Sequence, residues 1–285
     1  MPAVSSSPTL SVVDDSDPLL GELAEVPAAP AGLLEAIRQV PDPRQRRGVR
    51  HTIAGVLAVA LAATLAGSRS FVAIAEWAAD AAPDVRGQLG VTGAAPSEST
   101  IRRCLQRLAP DDLDARIGAW MWLRTSVIDG RRVLAFDGKT LRGARGVAGN
   151  LTHLLAGLCQ RTGTVLAQCA VGAKTNEIPC LRELLDTLNL AGAVVTADAL
   201  HCQRETAQTI IHRGGHYILT VKANQPKLRA QLKDLPWKHI PILHSGTERG
   251  HGRTEKRSLK ATEIALGIAF PHAVQVLRLT RTITH

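Results

Sequence analysis

Two aspartates stand out by position. Asp137 follows the apolar run Val133-Leu134-Ala135-Phe136, and Asp198 follows Ala193–Ala197. Short apolar runs of this kind predict buried strands, so each carboxylate is offered at a strand's C-terminal end, where ligands of open α/β sheets bind. The two positions are 61 residues apart, so only folding could bring them together. Two carboxylates about 4 Å apart repel by roughly 4 kcal/mol at an effective dielectric near 20, and a divalent cation is the simplest offset. Carboxylates with open water positions suit Mg²⁺ or Mn²⁺. For any single Asp at a strand end, a turn or cap role is the commoner one.

The neighbouring residues favour phosphate chemistry. Asp137 opens Asp-Gly-Lys-Thr-Leu-Arg-Gly, in which Gly138 permits close approach of a ligand to the backbone, while Lys139 and Arg142 carry positive charge suited to a phosphate. Lys174, Asn176 and Glu177 form a polar cluster where a strand gives way to a helix, and Lys222 follows another apolar run. His201, three residues beyond Asp198, could orient that carboxylate or bind phosphate, or serve as a hydrogen-bonded structural histidine. Acidic and phosphate-binding groups therefore recur at strand ends, on what could be one rim.

The elements that would position these groups follow from periodicity. Residues 1–30 are rich in Ser, Pro, Ala and acid, lack a sustained period and read as a disordered tail. Residues 31–128 read as helices. A short helix carries Leu33, Leu34 and Ile37, and the prolines at 41 and 43 end it. A basic loop with Arg44, Arg46, Arg47 and Arg50 follows, then an Ala-rich apolar helix over 52–66. Ser70 is placed to cap the next helix, and Ser97 or Ser99 the one after it. That later helix sets Ile101, Leu105 and Leu108 inward and Arg102, Arg103 and Arg107 outward, and Pro110 can open another. From residue 129 to 285 the order strand, strand, strand, helix, strand, helix, strand predicts a mixed sheet flanked by helices, an α/β (α+β) class.

Composition narrows the partners. The chain has 285 residues and a formal charge of +9, and its first 30 residues hold five acids and no Lys or Arg. The remainder thus carries 34 basic against 20 acidic residues, an excess suited to a polyanion such as double-stranded DNA. The arginines of the 44–50 loop and of the 102–107 face could contact phosphates, and each could equally be a solvated surface. Aromatic residues make up 3%, which disfavours a base-stacking platform. The five cysteines, at 104, 159, 169, 180 and 202, are too scattered for a CxxC zinc or redox pair and suit free thiols in a reducing cytoplasm. The apolar stretch 52–68 would span about 25 Å as a helix, short of a bilayer core of roughly 30 Å, so no membrane contact is expected of it.

The runs FDGKTLRG, KTNEIP, TADALHCQ, HYILTVKANQP and GHGRTEKR resemble those of bacterial insertion-sequence DDE transposases, in the branch of the H-repeat-associated proteins. The run from Pro41 to Ala78 resembles that branch's helical leader, and SESTIRRCLQRL the segment before its core. The resemblance extends over about residues 31–282. It implies an RNase H-like core in which acidic residues hold two Mg²⁺ ions for attack on a phosphodiester by water or a DNA 3′-hydroxyl. Asp137 matches the family's first catalytic and metal-binding acid and Asp198 its second. Lys139, Lys174, Asn176, Glu177, His201 and Lys222 match positions around that site, and Arg142 and Arg253, in matched basic runs, are expected to contact DNA.

One expected piece is missing. The family's third catalytic acid is a Glu on a late helix, in a motif of the form Arg-x-His-Trp-x-Ile-Glu-Asn, and this sequence has no such motif. Glu177 ranks above Glu255 as a site neighbour, and neither is assigned as its replacement. The expectation is a helical DNA-binding segment over 31–128 and a DDE core over 129–285 that acts on insertion-element ends and pairs as a homodimer. This copy is expected to be truncated at its C-terminus and inactive alone. The alternative is a DNA-binding remnant or regulator without catalysis.

Overall fold

The computed structural model describes residues 32–45, 47, 49–125, 130–145, 151–172, 177–250, 253–264 and 268–284. Six helices come first: α1 (Leu33–Arg38), α2 (Ile53–Leu65), α3 (Phe71–Asp80), α4 (Pro83–Gln88), α5 (Glu98–Arg107) and α6 (Pro110–Trp122). Side-chain oxygens of Thr52, Ser70 and Ser97 accept from the first-turn amides of α2, α3 and α5, and Pro110 opens α6. α2 is the centre of this layer. Val56, Val59 and Ala63 are fully buried against Ile37, Ile74, Ala78, Ile101 and Cys104, so its apolar length serves a protein core. Among the described residues no helix is long and apolar enough to cross a membrane.

The second half builds a five-stranded sheet from β1 (Val133–Arg145), β2 (Leu151–Cys159), β3 (Thr164–Val171), β4 (Val194–Ala197) and β5 (His216–Leu219), in the order β3-β2-β1-β4-β5. β1, β2 and β3 form an antiparallel meander, whereas β4 and β5 run parallel to β1. The parallel links carry the helices α7 (Glu177–Asp186) and α8 (Arg204–His212), as parallel strands require long crossover connections. Leu134, Phe136, Leu155 and Val195 face α7, whose Leu181, Leu184 and Leu185 are buried on them. After β5 come α9 (Pro226–Lys233) and a separate antiparallel sheet of β6 (His244–Gly250), β7 (Arg253–Glu263) and β8 (Gln275–Thr284).

α6 joins the two halves by lying along β3. The Asp114 carboxylate accepts the Gln168 amide at 3.0 Å, covering part of an otherwise open sheet edge. The approach is closest at Gly118, where an added Cβ would stand 2.1 Å from the Leu166 carbonyl oxygen. One sequence expectation fails here. β1 does not end at Asp137 but continues to Arg145, because β2 supplies an antiparallel partner as far as Leu141↔Thr152 and again at Arg145↔Leu151. Only the parallel pairing with β4 stops, at Phe136↔Ala197. α4 was also not anticipated. None of its residues is buried, so no apolar stripe announces it.

Candidate active site

The register of the parallel pair sets the geometry. β1 and β4 pair as Leu134↔Val195, Ala135↔Thr196 and Phe136↔Ala197, and the next residue on each is Asp137 and Asp198. Adjacent strands lie about 4.8 Å apart. The backbone of Asp198 is still extended (φ −68°, ψ 177°), so both aspartates leave the sheet on the same face. Leu134, Phe136 and Val195 take the face covered by α7, so Asp137, Lys139 and Asp198 take the other. Asp137, Lys139 and Asp198 are all exposed. Two like charges on neighbouring strands repel, and exposure to water weakens that repulsion.

The turn after β4 is held from both sides. One Asp198 oxygen caps a short 3-10 turn (Ala199–His201) by accepting the Leu200 amide at 3.0 Å. The loop after β5 then clasps that turn. The Asn224 side chain donates to the Ala199 carbonyl, and the Gln225 side chain donates to the Cys202 carbonyl at 2.8 Å. Lys222, two residues before Asn224, is exposed. Burial pushes the Cys202 thiol up from its ordinary value, which makes it a packing group in this turn.

Glu177 belongs to the opposite face of β1. A Cβ on Gly138 would stand 2.7 Å from both Glu177 carboxylate oxygens, so the glycine is what lets the carboxylate lie on the strand. His153 Nε2 lies 2.6 Å from Oε1, and His201 Nε2 lies 3.5 Å from Oε2. The His153 ring donates to the carboxylate, and its Nδ1 sits 2.9 Å from the Thr140 hydroxyl, which can donate to a neutral ring. His201 is 1% exposed, and neither of its ring nitrogens has a hydrogen-bond partner. Glu177 thus ties β1, β2, α7 and the Asp198 turn together. It stands near the aspartate pair but faces away from it.

Sequence reasoning passed over His153. It shares a strand face with buried Leu155, Gly157 and Cys159, where a half-buried ionisable side chain stands out. Lys174, Asn176 and Arg46 lie outside the described residues, and so does the side chain of Arg142. Arg44 is not a free phosphate binder. It forms a two-pronged pair with Asp42 at 2.8 and 2.7 Å, donates to the His51 carbonyl at 2.8 Å and reaches Cys104 Sγ at 3.2 Å. That pairing lowers the Asp42 carboxyl. Arg47 and Arg50 remain exposed on the same loop. Arg102 pairs with Glu98 at 2.9 Å, and Arg103 donates to the Ser99 carbonyl. Arg253 is exposed on β7, and Glu255 is buried between Arg257 and Arg281, remote in role from the aspartate pair. Among the described residues no three His, Cys, Asp or Glu side chains are assembled to hold a metal ion. Asp137 and Asp198, one residue beyond paired positions on neighbouring strands, offer carboxylate oxygens alone, the donor type of a hard cation.

Comparison with known proteins follows this division of the chain. Residues 34–121 match the family described as DDE_Tnp_1-associated, and residues 128–281 match the transposase DDE domain. A Xanthobacter autotrophicus protein described as "Uncharacterized protein in dhlA 3'region" is 31% identical over 226 residues, which is 77% of each chain. The "Putative transposase YncI" of Escherichia coli O157:H7 is 29% identical over 79% of this chain and 59% of its own length. The "H repeat-associated putative transposase YbfD" of Escherichia coli K12 is 28% identical over 79% of this chain and 91% of its own. A cryo-EM structure of a piggyBac transposase synaptic complex with hairpin DNA aligns with 86% of this chain and 58% of its own, at 13% identity and a TM-score of 0.37. On its two matching segments the chain belongs to the DDE transposase family, whose function is DNA transposition.

Proposed function

We propose that this chain acts on DNA phosphodiesters through Asp137 and Asp198, as a transposase with an RNase H-like core. The observation that carries this reading is the matched register of the two aspartates on neighbouring parallel strands. The strand order and the mixed parallel and antiparallel pairing support it. Asp137 and Asp198 would hold Mg²⁺ or Mn²⁺. When bound, such a cation polarises a phosphoryl oxygen and makes water or a 3′-hydroxyl a better nucleophile.

The chain's own residues supply the rest. The Leu200 amide binds one Asp198 oxygen, and the other would be the one offered to the cation. Lys139, two residues from Asp137 on the same face, would neutralise a phosphate beside the pair, and Lys222 would do so from the rim. Arg47, Arg50, Arg103 and Arg107 would carry flanking duplex through non-specific phosphate contacts. The test is a nicking and joining assay on DNA carrying the terminal sequences that flank the gene. Mg²⁺-dependent products that vanish in Asp137→Asn and Asp198→Asn support the reading. Products that persist in both variants overturn it.

A second reading is DNA binding without turnover. It is favoured by Glu177, the nearby carboxylate, which faces the other side of β1 and is already engaged by His153. Salt-dependent binding of the same DNA with no product at any Mg²⁺ or Mn²⁺ concentration would select it.

A further inference from the structure

β6, β7 and β8 sort their polar residues by face. Cross-strand partners share a face, so the pairs Thr247↔Lys256, Arg249↔Thr254, Lys256↔Thr282 and Thr254↔Thr284 define one side, and Glu248↔Glu255, Arg257↔Arg281 and Leu259↔Leu279 the other. All eight Ser and Thr residues of the three strands fall on the first side, together with Arg249, Lys256, Lys260 and Arg278. All three carboxylates, Glu248, Glu255 and Glu263, fall on the second, where they face three arginines. There Glu255 binds both Arg257 and Arg281. One face is therefore charge-balanced and the other holds four cations and no acid.

The cationic face has a seated end and an open end. Lys260 donates to the Trp237 carbonyl at 2.6 Å, and the Arg278 guanidinium lies over the Trp237 ring, so this end packs on the chain. Beyond it, Arg249, Lys256, Thr280, Thr282 and Thr284 are exposed and Thr254 is half-buried. Arg249 and Lys256 are diagonal neighbours about 7–8 Å apart in Cα position. Cations among short hydroxyl donors, without carboxylates, suit the acceptor oxygens of a phosphodiester backbone. The three strands contain no Phe, Tyr or Trp, so they offer no platform for stacking unpaired bases.

We propose that this open end is a docking surface for the backbone of duplex DNA, held by Arg249 and Lys256 and by the hydroxyls of Thr254, Thr280, Thr282 and Thr284. The inference rests on the DNA-processing reading above and adds a second contact region that its Asp137–Asp198 site does not need. Arg253, in the same sheet and equally basic, lies on the balanced face and takes no part.

The test is fluorescence anisotropy of a labelled duplex of about 20 base pairs titrated with full-length chain over a salt series. Arg249→Gln with Lys256→Gln should weaken binding several-fold and flatten the log K against log salt slope by about 1.8, roughly 0.9 for each lost phosphate contact. Thr280→Glu with Thr282→Glu should weaken it further, and Arg253→Gln should leave it unchanged. Circular dichroism melting reports whether each variant folds, and Lys256→Gln alone, with about half the slope change, carries the test if the pair does not. Wild-type affinity and slope in folded face variants would overturn this proposal while leaving the DNA reading intact. A wild-type chain that binds no duplex would overturn both.

Discussion

His153 Nε2 and Glu177 Oε1 meet at 2.6 Å on the side of β1 that faces away from Asp137. The contact joins a strand to the start of a helix, and the second Glu177 oxygen points to buried His201 in the Asp198 turn. Glu177 thus packs against β1 at Gly138 while hydrogen-bonded to β2 through His153.

That role predicts a coupled pair of substitutions. Gly138→Ala puts a methyl 2.7 Å from a carboxylate that cannot swing away without leaving His153. It should cost about 1–3 kcal/mol, as overpacking does. Glu177→Ala should cost about 1–3 kcal/mol by unpairing His153. Urea unfolding of the double variant should show a loss at least about 1 kcal/mol smaller than the two added, because the methyl then has room. Simple additivity would contradict the contact.

The aspartate pair makes a prediction about metal. Without divalent cation, Asp137→Asn should match or exceed the wild type in stability, by about 1 kcal/mol at most, since an exposed like-charge pair is relieved. With Mg²⁺ the wild type should gain melting temperature by mass action, and Asp137→Asn and Asp198→Asn should not. Asn can still cap the turn at position 198, so a lost response there reports ligand loss rather than unfolding. Equal Mg²⁺ responses in all three chains would remove the metal assignment.

α6 offers a packing test. Alanine is favoured over glycine inside a helix by about 1 kcal/mol, so Gly118→Ala should stabilise an isolated α6. In the folded chain the new methyl would meet the Leu166 carbonyl at 2.1 Å, with backbone on both sides. A net loss of about 1–3 kcal/mol in thermal or urea unfolding is expected. A neutral or stabilised Gly118→Ala would mean that α6 does not lie on β3 as described.

The small sheet should respond to acid. Hydrogen bonds from Arg281 and then Arg257 hold the Glu255 carboxyl below its ordinary value. A depressed carboxyl contributes stability that is complete above the unfolded value of about 4.3 and is lost as pH falls through the folded value. The protection of the β7 and β8 amides, as hydrogen exchange measured relative to the intrinsic rate at each pH, should therefore fall below about pH 4.3 in the wild type. Glu255→Gln should remove that dependence, and an unchanged acid profile would contradict it.

Much of the fold was legible because apolar pattern and caps agree. Ser70, Ser97 and Pro110 each open a helix where their chemistry allows, and the run at 193–197 is a buried strand as its composition implies. β1 was read too short because the apolar pattern stops at Asp137 while the hydrogen-bond ladder with β2 does not. Asp137 and Asp198 were visible as acids that follow apolar runs, although β1 continues past Asp137, and their matched register was not visible, since it is set across 61 residues of chain. The facing of Glu177 depends on strand parity together with the seat of α7, which no local spacing encodes. Arg44 looked like its neighbours in a basic loop, and only its return to Asp42 and His51 separates it from them.

β1 is shared between two kinds of partner, and this has a consequence in time. Its antiparallel partner follows within a short stretch of chain, with Asp137 opposite Ala156, whereas its parallel partner β4 arrives only after β2, β3 and α7. Closing the longer loop carries the greater entropy cost, so local pairings form first. The expected order in pulse-labelled hydrogen exchange is protection of β2 amides before those of β4, and simultaneous protection would contradict it. On that order Asp137 waits on a finished hairpin, and the pair of charges is assembled last, by a scaffold already stiff enough to bear their repulsion.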